Sequence, residues 1–284
     1  MRRIECLHVD FMRRGTEMSL LTTPTFGADR QATALLLPLF IIMSLVAYLG
    51  LVTVFGFPDV LRLPPLEILA AFRAEQTAVI IFYYLFAIAH LVFVAGVLAL
   101  HRVLRVSDGP WLSIAMAGGV LYGIAQTVGF LRWPILVPMF AEKAADPELT
   151  AGQADTLLLV LDAFHRYAGM AIGENLSFWG LAAWLIGSGV TLMRPPFYMF
   201  RAGWLWVFTG LLVAIYTFEQ LGGPFAVLSP LLLLSHGLMY GLMLTVAWSL
   251  HRTANDDTRL RPVGTLALAS ISLFCAAIVL PGLM

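Results

Sequence analysis

Five side chains set inside long apolar runs carry most of the chemistry open to this sequence: His90, Arg132, Glu174, Glu219 and His236. His165 and Asn175 join them in the stretch 165–180, HRYAGMAIGENLSFWG, around which the chain is organised. An ionisable group in a segment that must cross lipid is expensive, so its presence points to a function by default. Arg132 and Glu174 have opposite charge, and a hydrogen-bonded couple is the cheapest way to hold both near lipid. They are therefore expected to face each other. Arginine's planar fork suits the bidentate grip of a carboxylate or phosphate, with Glu174 holding the guanidinium in place. The plainer reading is that the pair staples two helices together, as intramembrane polar groups commonly do.

Two further chemistries draw on the same residues. His90 and His236 lie within different apolar runs and could be axial ligands of a b-type haem. A zinc site would need three close ligands and an open position. His90, His165, His236, Asp162, Glu174 and Glu219 are candidates, but no HxxxH or HxxE spacing puts two of them on one turn. No metal site and no resident cofactor is therefore expected, with haem b the alternative. Ser235 beside His236 is not a nucleophile–base pair, because adjacent helical residues point in different directions.

The elements that must position these groups are apolar helices. Of 284 residues, 60% are hydrophobic and only 12% charged, against about a quarter charged in soluble proteins. The apolar residues gather into runs of roughly 20, the length that spans a bilayer core. The reading is an all-α polytopic membrane bundle of about seven spans, six to seven counting the weak last one. The spans fall at 34–55, 77–100, 111–131, 168–193, 203–220, 227–250 and 263–280. Residues 1–31 form an N-terminal tail and 32–284 a single transmembrane domain. Residues 1–17 carry Arg13-Arg14-Gly15 just ahead of Met18, so an alternative translation start at Met18 is open. The first apolar run is too long for a signal-peptide core and lacks a cleavage site after it. Two cysteines, Cys6 and Cys275, support neither a disulfide framework nor a thiolate metal site. A formal net charge of zero gives no reason to expect a nucleic-acid partner.

Arginine and lysine positions set the expected orientation. Twelve basic residues flank one side of the spans and five the other, which places the N-terminus in the cytoplasm. Trp111, Trp204, Trp206 and Trp248 fall at the same inner boundary, as an aromatic belt would. Counting ~1.5 Å per residue from the inner ends puts Arg132 ~33 Å and Glu174 ~30 Å up their helices. The same count gives ~26 Å for Glu219, ~24 Å for His236 and ~18 Å for His90. Four of the five thus reach the outer third or outer edge of a ~30 Å core, on four different helices. On the outer side, Pro65 suits a first helical turn and Leu66, Leu69 and Phe72 recur at helical spacing. A short interfacial helix is expected there, and a second over 155–164 after a polar loop broken by Pro147 and Gly152. In that second helix Asp162 and Arg166 form an i,i+4 pair. Gly169 and Gly173 form a small-xxx-small pair that lets a neighbouring backbone come close.

Several short strings, FPDVL (57–61), LPPLEIL (63–69), RWPILVP (132–138) and GEN (173–175), resemble a family of bacterial multi-pass membrane proteins. It is the domain-of-unknown-function family 4386, and the likeness in layout runs from about Leu35 to Arg252. The resemblance implies a bacterial inner-membrane protein and carries no activity. From the residues alone, the expected function is binding or moving a small amphiphile or anion at an outward-facing polar pocket. Arg132, Glu174, Asn175, Glu219, His236 and His165 would line it, with the lipid bilayer as surroundings. The alternative is a membrane-embedded haem- or metal-dependent enzyme.

Overall fold

A computed structural model describes residues 26–107 and 109–253. The seventh expected span, 263–280, and the candidate starts at Met1 and Met18 lie outside the described residues. Within them the chain is helical without strands, and six helical segments are long and apolar enough to cross a membrane. In order these are α1 (Phe26–Phe55), a short α2 (Pro65–Ala74), α3 (Gln76–Leu104) and α4 (Pro110–Ile135). Two short helices follow, α5 (Val137–Lys143) and α6 (Ala151–Phe164). The chain then runs unbroken through a π-helical stretch, His165–Leu176, into α7 (Ser177–Met193). It ends with α8 (Phe200–Tyr216) and α9 (Pro230–Thr253).

The long helices close into a ring. Each packs on the next in sequence, α1 on α3, α3 on α4, α4 on the π stretch and α7, α7 on α8 and α8 on α9. Contact of α9 with α1 completes the circle. Between helices in lipid there is no hydrophobic drive, so close packing and interhelical polar contacts hold the bundle. Its centre is aromatic: Phe93 meets Trp184 at 4.9 Å and Trp184 meets Trp206 at 5.1 Å, both edge to face. This corrects the aromatic belt, since Trp206 is a buried core residue, whereas Trp204 and Trp248 do stand exposed.

The short helices form a cap over one end of the ring. Pro65 opens α2 at its first turn, and Ile68, Leu69 and Phe72 turn inward. Leu66 is 57% exposed, so Ile68 takes the inward place expected of Leu66. Those residues join Phe55, Trp133, Phe140 and Leu161 in a second core beneath the cap. Helix α6 begins four residues before the expected 155, at Ala151, and Gly152 sits inside it rather than breaking it. The Gln153 side-chain oxygen accepts from both the Thr150 backbone N–H at 3.0 Å and its hydroxyl at 2.8 Å. That is the start signal of a capped helix. Rather than a separate interfacial helix, α6 is the first part of the same continuous helix that carries Glu174.

Candidate functional site

Arg132 stands in the last turns of α4, where that helix crosses the π stretch. The crossing is made by glycines. A methyl group placed on Gly129 would lie 2.8 Å from the Gly173 Cα, well inside contact distance. One turn along, a methyl on Gly169 would lie 2.7 Å from the Arg132 Cζ. The guanidinium is therefore laid against bare backbone of the neighbouring helix, a position that only glycine at 169 permits. The small-xxx-small pair does the packing expected of it, and also seats a cation.

Arg132 Nη1 donates to the Gly129 carbonyl of its own helix at 2.7 Å. Its Nη2 reaches His165 Nδ1 at 3.5 Å. Arginine only donates, so Nδ1 is the accepting nitrogen of that ring. The expected contact with Glu174 is not made. Among the described residues neither Arg132 nor Glu174 belongs to an ion pair; the pairs that form include Arg62–Glu219, Arg102–Asp29 and Arg166–Asp162. Arg132 leaves the helix crossing toward His165, while Glu174 leaves it toward the 3₁₀ segment Thr217–Leu221 that ends α8. A cavity of about 60 Å³ opens beside Arg132, walled by Leu61, Leu69, Trp133, Leu136, Asp162 and His165 among others. Its rim carries the Asp162 carboxylate, which Arg166 engages at 2.8 Å as the i,i+4 spacing foretold.

Glu174 and its neighbours form a second polar group. The Gln220 amide donates to Glu219 Oε2 at 3.1 Å and also reaches Glu174. Arg62 donates to Glu219 Oε1 and to Ser229 Oγ, both at 3.1 Å, and the Ser229 hydroxyl donates to Glu219 Oε1 at 2.9 Å. Asn175 donates to the Thr217 carbonyl at 3.2 Å. Arg62 ties the loop after α1 to the loop between α8 and α9. Its side chain is 66% exposed, so that ion pair contributes little to stability and serves mainly as a tether. Arg62, Gln220 and Ser229 were not among the expected site residues. Arg62 reads in the sequence only as a flanking charge, and nothing in its spacing announces a partner 157 residues away.

The histidines of the haem alternative lie elsewhere. His90 is buried, with Nδ1 on the Phe86 carbonyl at 2.8 Å and Nε2 3.3 Å from the Tyr122 hydroxyl. A carbonyl only accepts, so Nδ1 carries the proton and Nε2 accepts from Tyr122. Phe40, Phe86, Tyr122 and Phe130 surround the ring with centroids 5.2–5.5 Å away. His236 likewise sets Nδ1 on the Leu232 carbonyl at 2.9 Å and packs against Phe178 and Tyr240. Aromatic side chains thus pack directly on the His90 ring, and both of its nitrogens are engaged by protein groups. Among the described residues no three of His, Cys, Asp and Glu converge on one point. His236 therefore stands apart from the Arg132 and Glu174 groups, while His165, Asn175 and Glu219 join them.

No curated protein and no solved structure matches the chain. The family described as Domain of unknown function (DUF4386) matches residues 32–251, a range that reaches from the first to the last of the six long helical segments. The chain, an all-α polytopic membrane bundle, thus belongs to the DUF4386 family.

Proposed function

We propose that the protein binds the anionic head of a small amphiphile at Arg132, beneath the cap formed by α2 and α6, in the bacterial inner membrane. The observation that carries this reading is an arginine in an apolar helix that has no carboxylate partner among the described residues and borders a cavity with mostly apolar walls. A half-buried cation in an apolar helix without a counter-ion is costly unless something else neutralises it. A ligand anion is that something. The cavity's 60 Å³ is far below the ~300–1,000 Å³ of pockets that enclose a whole drug-sized molecule. It suits a head group alone, with the tail left among the exposed apolar side chains that face lipid. Leu61, Leu69 and Leu136 provide the apolar walls and Arg132 the specificity.

The test is purification in mild detergent, followed by native mass spectrometry and lipid extraction of wild type and Arg132→Gln. One amphiphile enriched in wild type and lost in the variant is the expected result. Equal lipid content in two folded proteins would leave the reading without support, and so would enrichment of neutral lipids only.

A further inference from the structure

His165 does more than receive the Arg132 fork. It opens the π stretch, and it lines the 60 Å³ cavity together with Arg132 and Asp162. Its Nδ1 accepts from Arg132 Nη2 at 3.5 Å, and an imidazolium, protonated on both nitrogens, could not accept. The ring is therefore neutral, with its proton on Nε2. Among the described residues Nε2 has no hydrogen-bond partner. Arg132 spends one N–H on the Gly129 carbonyl and one on His165, which leaves its remaining N–H groups without an acceptor in the protein. The cavity is thus bordered by unused donors on two side chains that α4 and the π stretch bring together.

Charge and size decide what those donors can hold. Asp162, the other charged group in the wall, is already engaged by Arg166 at 2.8 Å. One positive charge, that of Arg132, is left to be balanced. A monoanion balances it, whereas a second negative charge would face Asp162 among apolar walls with no cation to meet it. A water needs about 10–15 Å³ of such space, so 60 Å³ admits about four to six atoms of that size. A carboxylate with its first methylenes fits within that. A phosphodiester, with its phosphorus, four oxygens and a carbon on either side, does not. Leu63 and Phe164 stand in the same wall and are 43% and 45% exposed, so the cavity meets the apolar surface between the segment before α2 and the end of α6. We infer that the site takes the carboxylate of a long-chain fatty acid, one oxygen on the Arg132 fork and the other on the His165 Nε2–H, its chain leaving between Leu63 and Phe164. This rests on the anion-binding reading above and narrows it to one head group, with His165 as the residue that sets specificity.

The experiment compares heads on matched chains. Wild type, His165→Phe, His165→Leu and Arg132→Gln are titrated in detergent micelles with oleate, oleyl phosphate, dioleoyl phosphatidylglycerol and methyl oleate. Native mass spectrometry counts the bound ligand, at about pH 8, where oleyl phosphate carries close to two charges. Wild type should hold oleate at least tenfold more tightly than each of the other three. His165→Phe keeps a ring in place and removes both nitrogens, so it should weaken oleate about tenfold and leave methyl oleate unchanged. A merely structural role for His165 would weaken both alike. His165→Leu carries the same expectation if the phenylalanine variant fails to fold, and the wild-type ranking needs no variant at all. Phosphatidylglycerol or oleyl phosphate bound as tightly as oleate would overturn the inference, and so would a folded His165 variant that holds oleate like wild type. If Arg132→Gln still abolishes binding of the anions in those cases, the anion-binding reading stands without it. If Arg132→Gln binds every probe like wild type, both readings fall. Acetate is the soluble control, and its displacing oleate at equal concentration would overturn the fatty-acid assignment.

Discussion

Replacing Gly169 with alanine should unseat Arg132 without unfolding the bundle. The added methyl would stand 2.7 Å from Cζ and Nη2 and 2.9 Å from Nη1 of that side chain, where ordinary contact begins at 3.4 Å. Relief requires the guanidinium to retreat by the difference between 3.4 and 2.7 Å, about 0.7 Å. The Arg132–His165 contact is already 3.5 Å and does not survive that shift. Losing one hydrogen bond to a charged group removes about 1.5–3 kcal/mol. Alanine in place of glycine within a helix returns about 1 kcal/mol. The net destabilisation is therefore about 0.5–2 kcal/mol, small enough to leave a folded protein. Anion binding should fall more than tenfold, because a bidentate grip tolerates only about 0.5 Å of misplacement. Unfolding by denaturant in mild detergent measures the first effect, and native mass spectrometry of bound amphiphile measures the second. A Gly169→Ala protein that binds like wild type would show that the seat of Arg132 does not matter. So would one that loses binding only in proportion to its loss of fold.

Gly173→Ala meets backbone instead, the Gly129 Cα at 3.0 Å and the Ala168 carbonyl at 3.1 Å, which cannot swing aside. It should cost about 1–3 kcal/mol by overpacking, and a stability equal to Gly169→Ala would contradict the crossing described. Gln153→Ala removes the acceptor that holds both donors of Thr150 and should weaken the start of α6 by about 1 kcal/mol. Faster amide exchange confined to residues 151–156 is the expected sign. Arg62→Ala should change stability by under about 1 kcal/mol, given the exposure of that side chain, and high salt should erase the difference. Because aromatic side chains pack directly on the His90 ring and both of its nitrogens are engaged, the purified protein should show no Soret band. A band with stoichiometric iron that His90→Ala removes would refute that packing.

Much of the fold was legible because lipid imposes a simple rule on length and polarity. Each of the six described spans overlaps an expected one, and Asp162 does meet Arg166. The misreadings have local causes. The start of α6 was hidden because a polar, proline-bearing stretch outweighed a capping signal, Thr150 with Gln153, that reads plainly in hindsight. Trp206 was assigned to the lipid boundary because distance along a helix says nothing about which face a residue occupies. Glu174 was matched to Arg132 on level and charge alone, and the direction in which each side chain leaves its helix does not follow from either. Arg62 is not found by spacing, because it acts through the fold of a loop.

The separation of Arg132 from Glu174 follows from the same glycines that bring their helices together. At the crossing the Gly129 and Gly173 backbones meet so closely that a methyl group on either would overlap the other. No side chain can pass through such a seam, so residues beside it must leave on one flank or the other. Arg132 leaves over Gly169 toward His165 and the cavity. Glu174 leaves toward Gln220 and the end of α8. Looser packing would let the two charges meet and cancel, and the result would be a plain interhelical staple. Tight packing holds them apart, Arg132 on the Gly129 carbonyl and His165, Glu174 on Gln220. The stretch that carries Glu174 is π-helical over His165–Leu176, an irregularity often found at functional sites. The close glycine packing that joins the two helices therefore also decides which way each charged side chain leaves the crossing.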